Sequence, residues 1–198
     1  MKTEIIKINS SKAIPKALEI LKNGGMVIYP TETLYGIGVD ATNDKAVLKL
    51  IKIKKRVGEK KFLTAFSDIK MARKFLVITK KAGMLAKEFM PGPLSLIVYT
   101  KGKPERKVGF RIPDNKFVLS VIRKLGKPIT STSANISGKE NLYKIKDIMK
   151  TFDGKADLII DGGNIPKRKP STVYDVTEGK ILRKGPISEK QIQATLKS

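Results

Sequence analysis

The 198-residue chain contains no cysteine and no histidine. Disulfides, zinc fingers, cysteine nucleophiles, Ser-His-Asp triads and His-ligated metals are thereby excluded. Acidic residues are scarce as well, with 18 Asp and Glu against 41 Lys and Arg, a formal net charge of +23. Long apolar runs are also missing. Runs such as Met26 to Tyr29 and Leu96 to Tyr99 fall far short of the roughly 20 residues that a bilayer span requires. The N-terminal MKTEIIKINSSK lacks the continuous apolar segment and cleavage site of a signal peptide. These absences predict a cytoplasmic protein with no membrane association.

The positive charge is not a tail. Residues 51–100 and 101–150 carry +9 each, spread through periodic, apolar-containing sequence, so the folded body itself is basic. Of the cations 34 are Lys and 7 are Arg. An excess of Lys also serves solubility or adaptation to heat. Arg is the more informative residue, because its planar fork suits bidentate contacts with phosphate or carboxylate.

The length supports one domain over residues 1–198 with a sizeable core. Residues 3–9 alternate as a strand, and 12–23 place apolar residues at helical spacing before Gly24-Gly25. A buried strand at 26–29, a helix at 44–55 and a strand at 62–66 continue an α/β alternation. Helices are predicted at 68–76, 80–89, 115–125 and 144–152. Strands are predicted at 94–100, 108–112, 128–132, 157–160, 172–176 and 180–183, with 94–100 and 108–112 antiparallel. In the final helix Ser188 and Gln191 have capping-box spacing. The expected class is α/β, an open twisted mixed sheet flanked by helices.

Several segments carry chemistry. In Tyr29-Pro30-Thr31-Glu32-Thr33-Leu34-Tyr35-Gly36-Ile37-Gly38, hydroxyls and glycines crowd a strand end. Such ends face the ligand crevice of open α/β sheets, although an ordinary Pro/Gly turn reads the same way. Gly36 to Ala41 matches a loose dinucleotide pattern, which Asp40 and the lack of a following helix exclude, and no Walker loop occurs. Lys54-Lys55-Arg56 ends a helix, with Lys60-Lys61 after it. These cations read either as a solvated cluster favoured by the helix dipole or as a phosphate grip, with Lys54 and Arg56 exposed. Pro91-Gly92-Pro93 reads as a rigid structural turn. Arg111 ends an apolar strand before Ile112-Pro113, and facing inward it would need an anionic partner. Ser131-Thr132-Ser133-Ala134-Asn135-Ile136-Ser137-Gly138 gathers hydroxyls and an amide suited to phosphate oxygens or to helix caps. Without His these hydroxyls lack the usual activating base, so binding is favoured over covalent catalysis.

In order, the segments YPTETLYGIG, KKR, PGPLSLIV, RIP, TSANISG, STVYDV and ILRKGP span residues 29 to 186 and resemble the YrdC family of threonylcarbamoyl-AMP synthases. The resemblance implies a YrdC-like fold with a deep basic cavity. It implies a reaction of L-threonine, bicarbonate and ATP, the last with Mg2+, giving threonylcarbamoyl-AMP and pyrophosphate. The product would supply the modification of tRNA adenosine next to the anticodon, through a downstream threonylcarbamoyl-transferase complex. By similarity Lys54, Arg56, Lys61, Ser133, Asn135, Asn141 and Arg183 would bind ATP, with Lys54 and Arg56 as the catalytic pair. Thr31, Thr33, Arg111 and Ser131 would bind threonine, and no protein metal site is implied. Val57 and Phe62 stand where the family often has Pro, and Phe66 where some members have His, which bears on threonine contacts from that strand. The chain resembles the short form that lacks a further C-terminal domain.

The implied chemistry suits the composition. A carbamate oxygen is already an anion, so attack on the α-phosphate needs alignment and charge neutralisation rather than a strong base. The rivals are a non-enzymatic double-stranded RNA or tRNA-binding protein, which the charge alone would explain, and a carbamoyl-transfer role like that of the related domain in hydrogenase-maturation proteins.

Overall fold

The computed structural model describes residues 2–55, 62–102 and 104–197. In chain order it begins β1 (Glu4–Lys7), α1 (Ala13–Lys22), β2 (Val27–Pro30), β3 (Tyr35–Gly38), α2 (Asp44–Ile53) and β4 (Thr64–Ala65). It continues α3 (Ile69–Phe75), α4 (Lys80–Phe89), β5 (Leu94–Tyr99), β6 (Lys107–Arg111), α5 (Lys116–Leu125), β7 (Ile129–Thr130) and β8 (Thr132–Ser133). The last elements are α6 (Ile145–Phe152), β9 (Leu158–Asp161), β10 (Thr172–Asp175), β11 (Lys180–Arg183) and α7 (Glu189–Lys197).

The strands form two mixed sheets flanked by helices, with orders β1-β9-β2-β3-β8 and β11-β10-β5-β6-β4-β7. The α/β class expected from sequence holds, with the strands divided between two sheets. Period-two alternation places the residues of β2 on opposite faces. Val27 and Tyr29 pack with Ala17 and Leu21 of α1 and Val121 and Ile122 of α5. Ile28 packs with Ala46 and Leu50 of α2 and Ile148 and Phe152 of α6. A third cluster joins Leu94, Leu96 and Phe110 of the second sheet to Ala72, Leu85 and Ile192 of α3, α4 and α7. Each such aliphatic side chain contributes about 1.5–3 kcal/mol of burial.

Helix starts follow local chemistry. Asn43, Asp68, Thr79 and Asn115 each accept a hydrogen bond from the backbone N–H three residues on. Ser188 and Gln191 make the expected reciprocal cap, the Gln191 N–H donating to Ser188 Oγ and the Ser188 N–H to Gln191 Oε1. The antiparallel pairing of β5 and β6 is also as expected.

Tyr35–Gly38 differs from the alternative of a simple turn, since it is a strand pairing antiparallel with β2. A β-carbon on Gly36 would lie 3.0 Å from the Tyr29 ring, and one on Gly38 2.8 Å from it. The glycines are therefore required by cross-strand packing of an aromatic ring. The predicted 128–132 strand is divided as well. Thr130 ends a strand of the second sheet and Thr132 begins one of the first, so Ser131 sits at the seam between sheets. The Ser131 N–H donates to Leu63 O at 2.6 Å, and the Ala134 N–H to Tyr35 O at 2.7 Å, fastening both sides of that seam.

Three buried carboxylates tie loops to this frame. Burial alone would raise the Asp175 carboxyl, but hydrogen bonds from the Thr177 hydroxyl and N–H, with the Lys107 ammonium, outweigh it and hold it below its ordinary value of 3.8. Burial opposes likewise at Asp40 and Asp161, where Thr42 with Lys127, and Lys7 with the Gly163 N–H, depress the carboxyls. Carboxyls depressed in the folded state contribute stability that is present above the ordinary value and lost as pH falls through the folded one. Acid titration followed by circular dichroism is expected to show stability held at neutral pH and declining below about pH 4. Asp175→Asn is expected to cost about 1–2 kcal/mol at pH 7 and to make the acid decline shallower.

Candidate active site

A cavity of about 450 Å3 opens at the seam between the sheets. Its walls come from the turn between β2 and β3, the end of α2, the end of β6, the segment 131–141 and the start of β10 with the end of β11. Among the described residues it is lined by three cations, Lys54, Arg111 and Arg183, by many hydroxyls and by no carboxylate residue.

The turn after Pro30 is built by its own hydroxyls. Thr31 Oγ accepts from the N–H groups of Thr33 and Leu34 at 3.2 and 3.1 Å and donates to Leu34 O at 2.6 Å. Thr33 Oγ lies 3.1 Å from Thr31 Oγ. Local side-chain-to-backbone bonding of this kind stabilises a turn and leaves the following residues free to return as a strand.

Lys54 corrects an expectation. The residue is 2% exposed, and its Nζ donates to Ser133 O at 2.5 Å and to Asn135 Oδ1 at 3.1 Å. Asn135 Oδ1 also accepts from Ser133 Oγ at 2.7 Å, while Asn135 Nδ2 donates to Lys139 O at 2.6 Å. The Ser137 N–H returns to Lys54 O. A helix-end cation that a charge run presents as solvated is therefore folded inward, where carbonyl oxygens compensate its desolvation. The 131–138 segment does not serve as a helix cap, since α6 begins only at Ile145.

Arg111 is the inward-facing arginine, and its anionic partner is Glu32. Its Nη2 also donates to Gly92 O at 3.2 Å and its Nη1 to Thr33 Oγ at 3.4 Å. Burial lowers the guanidinium to about 10, and the nearby Arg183 acts in the same direction, yet it remains charged at neutral pH. Arg183 is aimed by Ser171, whose carbonyl accepts from Nε and whose Oγ accepts from Nη2, both at 3.0 Å. Ser171 Oγ in turn lies 2.9 Å from the fully buried Ser95 Oγ. Tyr29, beneath the site, is pushed up to about 12 by burial against the opposing pull of Ser131 and Arg111. It is a neutral donor to Thr130 O rather than a base.

Of the residues singled out from sequence, Thr31, Thr33, Lys54, Arg111, Ser131, Ser133, Asn135, Asn141 and Arg183 all line this cavity. Arg56 and Lys61 lie outside the described residues, as does Val57. Phe66 is fully buried against Phe75 and Phe110 and is not among the lining residues, and Phe62 packs in the core under α2. Ser171, Thr132 and Ser137 line the cavity without having been singled out as ligands. Glu32, which pairs with Arg111, was likewise missed. The signal for Glu32 was present, as the only acid within a hydroxyl-rich strand end.

A family model for Sua5, YciO and YrdC proteins, described as telomere recombination, matches residues 19–185. The chain belongs to the Sua5/YciO/YrdC family. It is 38% identical over 195 residues to a Methanocaldococcus jannaschii protein assigned as a threonylcarbamoyl-AMP synthase, with 92% of each chain covered. P. abyssi Sua5, in its complex with L-threonine, matches with a TM-score of 0.86 and 30% identity, over 98% of this chain and 60% of that one. The chain thus spans 60% of the length of that Sua5. E. coli YciO shares the fold, with a TM-score of 0.84 at 24% identity. This Sua5/YciO/YrdC domain thus carries its hydroxyl-rich and cationic segments on one cavity wall after another rather than on a single loop.

The Lys54 network yields a direct expectation. Lys54→Ala removes the donor that holds two buried acceptors and is expected to destabilise the fold by about 2–3 kcal/mol. Thermal unfolding is expected to shift down by about 5–10 °C, whereas Lys52→Ala, on the exposed side of α2, leaves the midpoint unchanged.

Proposed function

We propose that the chain is a threonylcarbamoyl-AMP synthase, converting L-threonine, bicarbonate and ATP to threonylcarbamoyl-AMP and pyrophosphate. The observation that carries this reading is a single cavity holding a buried arginine beside two threonine hydroxyls together with the Lys54, Ser133, Asn135 and Arg183 cluster. One group suits a carboxylate and small polar groups, the other the oxygens of a nucleotide. The named activity of the M. jannaschii relative and the L-threonine bound to P. abyssi Sua5 support the assignment.

In this scheme the threonine ammonium group loses a proton to solvent, and the resulting amine condenses with bicarbonate to a carbamate with loss of water. A carbamate oxygen then forms a bond to the α-phosphorus, and the bond to the β-phosphate oxygen breaks, pyrophosphate leaving with the electron pair. Arg111 holds the threonine carboxylate, with Thr31, Thr33 and Ser131 around the remainder of the amino acid. Ser133, Asn135, Asn141 and Arg183 hold the nucleotide, with Arg56 and Lys61 as further triphosphate ligands. Lys54 serves that end both as a charge and as the strut of the Ser133–Asn135 segment. Fixed cations and hydroxyl donors lower the barrier by alignment and by stabilising charge as it moves to the leaving group.

The donor set suits Mg2+ as a companion of ATP. The described residues contain no group of three or more acidic or His and Cys ligands, so the ion would be held by phosphate oxygens and water, as is usual for its hydrated octahedral sphere. Among the described residues no helix is long and apolar enough to cross a membrane, and a cytoplasmic setting fits ATP as a substrate. The adenylate would pass to a threonylcarbamoyl-transferase acting on the tRNA adenosine next to the anticodon, and the surface lysines outside the cavity would favour encounters with tRNA.

Incubation of the purified protein with Mg2+, ATP, L-threonine and bicarbonate is expected to release pyrophosphate in equal amount with threonylcarbamoyl-AMP. Intact ATP binding with no product would overturn the assignment in favour of a non-enzymatic RNA-binding role. Arg111→Ala is expected to raise the KM for L-threonine by about tenfold or more, the loss of one charge-assisted contact, with ATP binding kept. Arg183→Ala is expected to raise the KM for ATP instead.

A further inference from the structure

We propose that Glu32 is a specificity-determining residue that competes with the substrate carboxylate for Arg111, so that binding exchanges one carboxylate for another. For L-threonine this rests on the function proposed above. For carboxylates in general it rests on the geometry alone.

The hydrogens of Arg111 account for the exchange. A guanidinium grips a carboxylate through one of two forks, the end formed by Nη1 and Nη2 or the side formed by Nε and Nη2. Both forks use Nη2. Its two hydrogens are directed to the Glu32 carboxylate and to Gly92 O. Gly92 O belongs to the backbone of a packed turn, whereas the Glu32 carboxylate is at the end of a rotatable side chain. Nη1 makes only a long contact with Thr33 Oγ at 3.4 Å, and Nε has no partner among the described residues. An incoming carboxylate can therefore be held by two parallel bonds once Glu32 leaves Nη2, and by one bond if it stays.

Glu32 is suited to leaving. Its Oε1 meets Arg111, but its Oε2 is buried with no partner among the described residues. A half-satisfied carboxylate is a weaker competitor than one with both oxygens bonded. Its backbone is fixed on either side by the Thr31 and Thr33 turn, and its carbonyl accepts from Arg168 Nη1 at 3.0 Å. Exchange consequently needs side-chain rotation and no movement of the turn.

Two properties follow from the pairing. Arg111 keeps a counter-ion in both arrangements, which avoids the penalty of an isolated buried charge. A neutral ligand of the same shape cannot replace Glu32, because it would leave that charge uncompensated. Glu32 thus selects for an acid over its amide.

Chemical rescue tests this. In thermal unfolding at constant ionic strength, Glu32→Ala is expected to be less stable than wild type in chloride. Replacing chloride by acetate is expected to raise its midpoint by about 3 °C or more once acetate exceeds its Kd severalfold, while wild type, in which acetate must first displace Glu32, responds less. Equal responses, or none in the variant, would overturn the proposal. Should Glu32→Ala fail to fold, the near-isosteric Glu32→Gln carries the same comparison. Adding Arg111→Met to either variant is expected to abolish the acetate response, and a response that survives would overturn the assignment to Arg111. By calorimetry Glu32→Gln is expected to bind L-threonine about tenfold more tightly, with no gain for L-threoninamide. Weaker binding of both ligands would show that Glu32 reads the ammonium group and would overturn the proposal. Acetate rescue with no L-threonine binding in either protein would keep the exchange and remove the threonine assignment.

Discussion

Taking a guanidinium out of water costs several kcal/mol unless its charge and its hydrogen bonds are answered, and Arg111 imposes that demand at the end of β6. The answers come from separate parts of the chain. Glu32 and Thr33 arrive on the turn after β2, and Gly92 on the turn before β5. The backbone of the same strand end is fastened too, the Phe66 N–H donating to Arg111 O and the Gly92 N–H to Ile112 O. Meeting one charge therefore sets the relative positions of the β2–β3 hairpin, the 91–93 turn and the second sheet, and the cavity is the space those positions leave.

The sequence showed some of this and concealed the rest for identifiable reasons. Arg111 was legible because an arginine ending an apolar strand before a proline has few ways to be solvated. The helices were legible from apolar spacing and from caps such as Asn43, Asp68 and Ser188, which act locally. Lys54 was misread because a Lys-Lys-Arg run at a helix end looks the same whether its first member points out or in. That choice is made by Ser133 and Asn135, about 80 residues away. The strand at Tyr35–Gly38 was hidden by glycines whose purpose, room for the Tyr29 ring, exists only once two strands are paired. The division into two sheets was hidden for a similar reason. It depends on two-residue strands on either side of Ser131, too short to carry a period.

The composition and the site agree in their chemistry. Lys54, Arg111 and Arg183 line the cavity, a small part of a total of 41 cations, so most of the charge belongs to other surfaces. The groups that meet in the cavity are hydroxyls, an amide and these cations, each oriented by a further contact, as Ser171 orients Arg183 and Ser95 supports Ser171. Such a set is prepared to hold and neutralise anions. The lack of histidine and cysteine is consistent with a site whose main work is placement.

The position of β9 has a consequence for the growing chain. This strand, at residues 158–161, lies between β1 and β2, pairing in parallel with both. During synthesis the first sheet thus emerges with an inner slot open, and the two strands that flank the slot are made more than a hundred residues before the one that fills it. Closing so long a loop is slow relative to forming hairpins, and the facing edges of β1 and β2, with their backbone N–H and C=O groups unpaired, stay open until it happens. The nascent protein accordingly has a defined interval in which chaperone contact would be most useful, ending when Leu158 to Asp161 leave the ribosome.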